Sequence, residues 1–404
     1  MTTPRWRGRR ARLAFHALLV LPLLTTACGS DDDSSAATTS VQASTTATPA
    51  SDATTTPDST PALTGFPLHL ENCGFDVTLD APPKRIFSLA QGTTETLLAL
   101  GMADQMVGAS GWNGSVLETL AAENAKVKSF ASADVSLESI LDLEPDLLIT
   151  SWADTFSEES LATREHLAEL GVATYISPTD CVGKDFNGNH NTSPRTRPVE
   201  AQDYFDEVTE LGSVIGHPER AVALIDDLQS LLDDAAKIDV AGTSAIFWFA
   251  NAEAPFIAGC CGGSGFISER LGLKNVYDDR TEEWPTGSWE VIAERNPDVF
   301  VIPDVHRGNL MSADSAQDKI AFLESNPLTR EMDAVKNRRY VVVRGTSLSP
   351  PGIGVIHAVD QIAREAPGDG VGQVSRARSV APFVRRQRRR ASRSCHGGGD
   401  GERR

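Results

Sequence analysis

The chain is poor in several things whose absence narrows its function. It has no run of about 18 consecutive apolar residues, so no segment reads as a membrane span. Its one glycine-dense stretch, Gly259-Cys260-Cys261-Gly262-Gly263-Ser264-Gly265, lacks the lysine of a phosphate loop and reads as a tight turn, so nucleotide binding has no support. No Gly-x-Ser-x-Gly elbow is present, which argues against a lipid-anchored α/β hydrolase. The histidines His69, His166, His190, His217, His306 and His357 are scattered singly between the two ends of the chain, a poor basis for capturing a bare metal ion. Basic residues are also scarce in the body. Five arginines lie in residues 1–27 and ten in residues 367–404, leaving residues 28–366 with 22 basic and 52 acidic side chains, a net charge of −30. Such a field repels phosphate, so nucleic acid is excluded as a partner.

What is present begins with an export signal. Arg5, Arg7, Arg9, Arg10 and Arg12 precede an apolar run from Leu13 to Leu24, followed by Thr25, Thr26, Ala27 and Cys28. This is the charged, apolar, small-residue order of a signal peptide. Residues 28–64 are dominated by Ser, Thr, Ala, Asp and Pro and cannot bury enough surface to fold; they are expected to form a flexible spacer. Arg9-Arg10 hints at twin-arginine export without the rest of that signal. Export permits disulfides. Apart from Cys28 and Cys395 the cysteines are Cys73, Cys181, Cys260 and Cys261, with three possible pairings. Adjacent cysteines bridge each other only under strain, so Cys73 with Cys181 is the expected bridge; the alternative, four reduced thiols or a metal site, is weaker because the spacing matches no zinc pattern.

An internal repeat defines the architecture. Ser136-Leu137-Glu138-Ser139-Ile140 leads to Pro145-Asp146-Leu147-Leu148-Ile149, and Ser288-Trp289-Glu290-Val291-Ile292 leads to Pro297-Asp298-Val299-Phe300-Val301. Each copy predicts a Ser-capped short helix stopped by Pro and followed by a buried strand. Between them, Pro218 to Lys237 carries Ala221, Leu224, Ile225, Leu228, Leu231, Leu232 and Ala235 at helical spacing. The expected fold is α/β: two related lobes with mainly parallel sheets, residues 65–216 and 240–366, joined by one long helix at 217–239, with a ligand cleft between them. Residues 180–200, rich in Asn, Gly, Pro and Thr, read as a long surface loop. Residues 367–404 switch abruptly to Arg, Gly and Ser and read as a disordered tail.

The runs PKRIFSLAQGTTETLLALGMADQMVGAS, SLESILDLEPDLLIT, WEVIAERNPDVFVI and AVKNRRYVVV, in that order, resemble the periplasmic-type binding proteins for ferric siderophores and cobalamin, partners of ATP-driven importers. The leader ending at Cys28 similarly resembles a bacterial lipoprotein signal, in which that cysteine is lipidated. The resemblance implies a monomeric receptor, not an enzyme and without a cofactor, lipid-anchored on the extracytoplasmic face of the cell membrane. Its partners would be an ABC permease with its ATPase, and its ligand a ferric siderophore, hydroxamate-type favoured over a corrinoid or haem.

Candidate site residues follow from residue chemistry and resemblance together. Trp112, Trp152, Phe256 and Trp284 sit in or beside loops expected at the carboxyl ends of strands, where α/β sheets bind ligands and where aromatic rings suit a bulky, partly polar chelate. Gln91 and Thr93 precede a helix expected to start near Glu95, whose backbone donors could take a ligand oxygen. His306 and Arg307 follow a strand and could reach ligand oxygens. Glu138 and Glu290 occupy the same place in both repeats, on an exposed first helical turn; the resemblance makes them permease-docking residues, one per lobe.

Overall fold

The computed structural model describes residues 65–367, apart from 132–134, 185–192, 308–310, 346 and 349–350. The leader, Cys28, the spacer and residues 368–404 lie outside the described residues.

The described chain opens with a hairpin of β1 (Leu68–Asn72) and β2 (Phe75–Leu79). Its two turn residues, Cys73 and Gly74, both have positive φ (54° and 77°), the combination a type I′ turn requires. Cys73 makes this turn without glycine's freedom and is joined to Cys181 by a disulfide with Cα atoms 5.9 Å apart. Four parallel strands then form the first sheet: β3 (Ile86–Ser88), β4 (Met106–Ala109), β5 (Leu147–Thr150) and β6 (Ala173–Ile176), in spatial order β4-β3-β5-β6. Ile86, Phe87, Leu147, Leu148 and Ile149 are wholly buried, which is why these strands read as continuous apolar runs rather than alternating ones.

The second sheet contains β7 (Ser244–Ala250), β8 (Phe256–Ile257), β9 (Lys274–Asn275), β10 (Val299–Asp304) and β11 (Tyr340–Arg344), in order β11-β10-β7-β8, with β9 also on β7. All pairings are parallel except β7 with β8. Between the sheets in sequence runs the helix Pro218–Ala235, packed against the helices Ala201–Val214 and Gly354–Glu365. One apolar cluster takes in a face of each sheet and this helix.

The sequence repeat has a structural cause. Ser136 and Ser288 each cap a short helix, accepting a hydrogen bond from the amides of Ser139 and Val291. Just before each Pro, Glu144 (φ 47°) and Asn296 (φ 40°) turn the chain. The Asp that follows then grips the start of a strand of the parallel sheet, β3 in the first lobe and β7 in the second. Asp146 accepts from the amides of Lys84 and Arg85 (2.7 and 2.9 Å), and Asp298 from the Ser244 amide and hydroxyl (2.9 and 2.6 Å).

Two expectations are corrected. Of residues 180–200, 185–192 lie outside the described residues; the described remainder is mostly loop as expected, but it starts in the short helix Pro178–Cys181, Lys184 and Arg195 in it are buried, and the Arg195 amide bonds to the Thr281 carbonyl at 3.0 Å. The 259–265 stretch is more than a tight turn. Cys260 and Cys261 are bonded to each other, Cα atoms 3.7 Å apart, ahead of the helix Gly263–Leu271.

Candidate functional site

The carboxyl ends of the two sheets meet. The Asn113 carbonyl, beyond β4, accepts from the His306 amide beyond β10 at 2.9 Å. Arg344, at the end of β11, donates to Glu95 at 2.7 Å and to the Ser115 carbonyl at 3.3 Å. Glu95 is wholly buried, and the same oxygen also accepts from Gln91 Nε2 and the Leu117 amide, both at 3.1 Å. Glu95 and Arg344 thus form an ion pair between the sheets that neither local periodicity nor composition marked in advance.

The second lobe contributes a stacked surface. The rings of Phe249, at the end of β7, and Trp284 lie 5.1 Å apart and tilted, and the Arg307 guanidinium sits 5.1 Å from the Phe249 centroid. Such contacts join cation–π attraction to a flat apolar face. Asp314 orients Arg307 through a 2.7 Å ion pair. Lys319 pins both ends of the loop by donating to the carbonyls of Pro303, at 2.9 Å, and Asp314. Burial pushes this lysine down to about 8, against the pull of Asp314 and Asp304. Phe256 lies beside the stack's strand, pairing with Ala250 across β7 and β8. Among the described residues, the indole N–H groups of Trp112 and Trp284 and the Nε–H of Arg307 are buried without an acceptor. Unsatisfied donors of this kind are complemented by acceptor oxygens.

The other expected residues fall differently. Trp152 is half-buried at the head of a short turn after β5, outside the apolar clusters, whereas Trp112 and Trp284 both pack against the main cluster. The first helix starts at Gln91 rather than near Glu95. Gln91 and Thr93 are accordingly buried and engaged inside their own lobe, Gln91 with Glu95, the Ser115 carbonyl and the Asn113 amide, and Thr93 with Ser88 and Ala90. His306 is exposed and pairs with Asp304 at 3.0 Å. Phe249, Glu95, Arg344 and Asp314 join the site without having been anticipated.

Glu138 and Glu290 are both exposed on the first turns of equivalent helices. Glu290 accepts from the Ser288 hydroxyl at 2.5 Å, which holds its carboxyl below the usual range. Among the described residues no group of three or more His, Cys, Asp or Glu side chains could hold a metal ion, and no helix is long and apolar enough to cross a membrane.

Comparison with known proteins places the family and the fold. Residues 86–345 match the family model described as periplasmic binding protein. An uncharacterised ABC transporter substrate-binding lipoprotein of Bacillus subtilis, YvrC, is 23% identical over 74% of this chain and 85% of its own length. A vitamin B12-binding protein of Vibrio vulnificus is 26% identical over 71% of this chain and 92% of its own. The crystal structure titled as an ABC-type Fe3+-hydroxamate transport system from Saccharomonospora viridis superposes with a TM-score of 0.59 at 23% identity, covering 74% of this chain and 99% of that one.

Proposed function

We propose that this chain, which belongs to the periplasmic binding protein family, is the lipid-anchored receptor of an ABC importer and delivers a ferric siderophore, of the hydroxamate class in first place, to its permease. As a relative of solute-binding proteins of ABC transporters it is a binding protein and not an enzyme. The observation that carries the ligand reading is the Trp284–Phe249–Arg307 stack. A hydroxamate chelate supplies what that surface asks for: an apolar outer face and a rim of carbonyl oxygens. A corrinoid, also broad and rimmed with amide oxygens, is the second reading, favoured by the vitamin B12-binding relative. The exposed Glu138 and Glu290 would dock onto basic residues of the permease, one from each lobe, steered by the acidic body.

Tryptophan fluorescence titration of the full chain tests this, with ferrioxamine B, a ferric catecholate, ferric citrate, haem, cyanocobalamin and free divalent ions as probes. Saturable quenching by ferrioxamine B, absent with the iron-free chelator, is expected. Saturation by cyanocobalamin or haem alone would replace the hydroxamate reading, and silence across the panel in folded protein would remove iron and corrinoid uptake.

A further inference from the structure

A chain of four alternating charges is buried between the two lobes, and no step of ligand capture yet accounts for it. Asp180, in the short helix after β6, binds Lys184 at 2.6 Å; Lys184 binds Glu283 at 3.1 Å; Glu283 binds Arg195 at 2.9 Å. The side chains are 0%, 0%, 3% and 2% exposed for Asp180, Lys184, Glu283 and Arg195. Arg195 closes the chain by donating to the carbonyls of Thr179 and Val182, at 3.2 and 2.6 Å. Burial alone would push Glu283 up, yet Arg195 and Lys184 hold it below the ordinary carboxylate range. Two acids and two bases cancel, which is the condition under which such groups tolerate burial.

The ends of this chain are what give it a role. Asp180 also accepts from the Ala153 amide at 2.9 Å, so it holds the turn headed by Trp152. Glu283 immediately precedes Trp284 and lies against Gly262, where a Cβ would come within 2.8 Å of its side chain. A backbone pairing of Arg195 with Thr281 adds a second tie from the same segment to the same loop.

We propose that Asp180, Lys184, Glu283 and Arg195 are positioning residues that couple the Trp152 turn of one lobe to the Trp284 loop of the other, so that the two aromatic walls of the cleft hold one spacing and move together. The role in capture rests on the reading of those tryptophans as cleft residues; the coupling itself does not. A cleft held in its competent spacing escapes the loss of apparent affinity that a fractionally populated competent state incurs.

The coupling is tested without any ligand, by 19F NMR of the full chain labelled with 5-fluorotryptophan and assigned by single Trp→Phe variants. Asp180→Asn, made in the first lobe, is expected to move the Trp284 resonance as well as that of Trp152. Glu283→Gln, made in the second, is expected to move Trp152 as well as Trp284. Trp248 and Trp289, edge to face at 4.8 Å in the second lobe's own core, should stay in place and report folding. If each variant moves only the tryptophan of its own lobe, the coupling is refuted. Lys184→Met, which cuts the chain at its centre, should shift both resonances and lower affinity about tenfold for whichever of ferrioxamine B, haem or cyanocobalamin saturates the native protein, as expected if the competent state falls to about a tenth of the population. Shifted resonances with unchanged affinity would refute the role in capture while leaving the coupling standing. Should Lys184→Met fail to fold, as collapse of the Trp248 and Trp289 signals would show, the two near-isosteric variants decide. Failure of every probe to bind native protein would count against the proposed function and leave the ligand-free result intact.

Discussion

Replacing Glu207 by Gln should stabilise the protein in alkaline solution and much less in mild acid. Glu207 lies on the Ala201–Val214 helix and is 1% exposed. One carboxyl oxygen accepts from the hydroxyls of Ser177 and Thr179, the latter at 2.7 Å, while the other is buried with no partner among the described residues. Burial raises this group from 4.5 to about 7, opposed by the two hydroxyls and assisted by nearby Glu210. With the folded value above the unfolded one, the group's contribution to stability is fully present below about 4.5 and is lost as pH rises through about 7. That interval corresponds to about 3 kcal/mol at 1.36 kcal/mol per pH unit, of which about 2.5 falls between pH 5 and 8.5. Glutamine keeps the shape and an acceptor for the hydroxyls but cannot ionise. Urea unfolding of both proteins at pH 5 and 8.5 should therefore show Glu207→Gln gaining about 2.5 kcal/mol on the native protein between the two conditions, with equal m-values. Glu210 is also raised, mainly by burial, but is present in both proteins and largely cancels in the difference. Parallel stability curves with a constant offset would refute the reasoning.

Three further outcomes are expected. Changing Glu138 and Glu290 together to Gln should impair uptake of the bound solute by cells while leaving its affinity for the isolated chain unchanged; a matching loss of affinity would move both residues into the cleft. Cys73→Ser with Cys181→Ser removes a link across 108 residues and should cost about 4 kcal/mol of stability, with the reductant sensitivity of unfolding due to that link abolished. Gly345→Ala would drive a methyl group into the backbone oxygens of Asn113 and Asp304, so it should strain the contact between the lobes and lower stability by about 1 to 3 kcal/mol; a melting temperature unchanged from native would show that the lobes part freely there.

The parts of this protein that were legible in its sequence are those where a local rule suffices, and the rest follow from partners far away along the chain. Serine at a cap, proline as a stop and continuous apolar strands are short-range signals, so both copies of the repeat could be read, though the work done by Asp146 on β3 and Asp298 on β7 became clear only once the strands were in place. The Phe249 ring was hidden for the opposite reason. It ends an uninterrupted apolar run, and in a strand buried on both faces alternation no longer tells Trp248, wholly in the core, from its neighbour stacked under Arg307. Lys184 and Arg195 were hidden by composition: a segment rich in Asn, Gly, Pro and Thr reads as solvated, yet their burial is compensated by Glu283, 88 residues beyond Arg195. Gln91 and Thr93 show the same limit from the other side, since a polar pair ahead of a helix looks available to a ligand until Glu95 and Ser88 are found to occupy it. Local patterning thus marks the elements and their caps, and long-range charge pairing decides which polar side chains are already engaged.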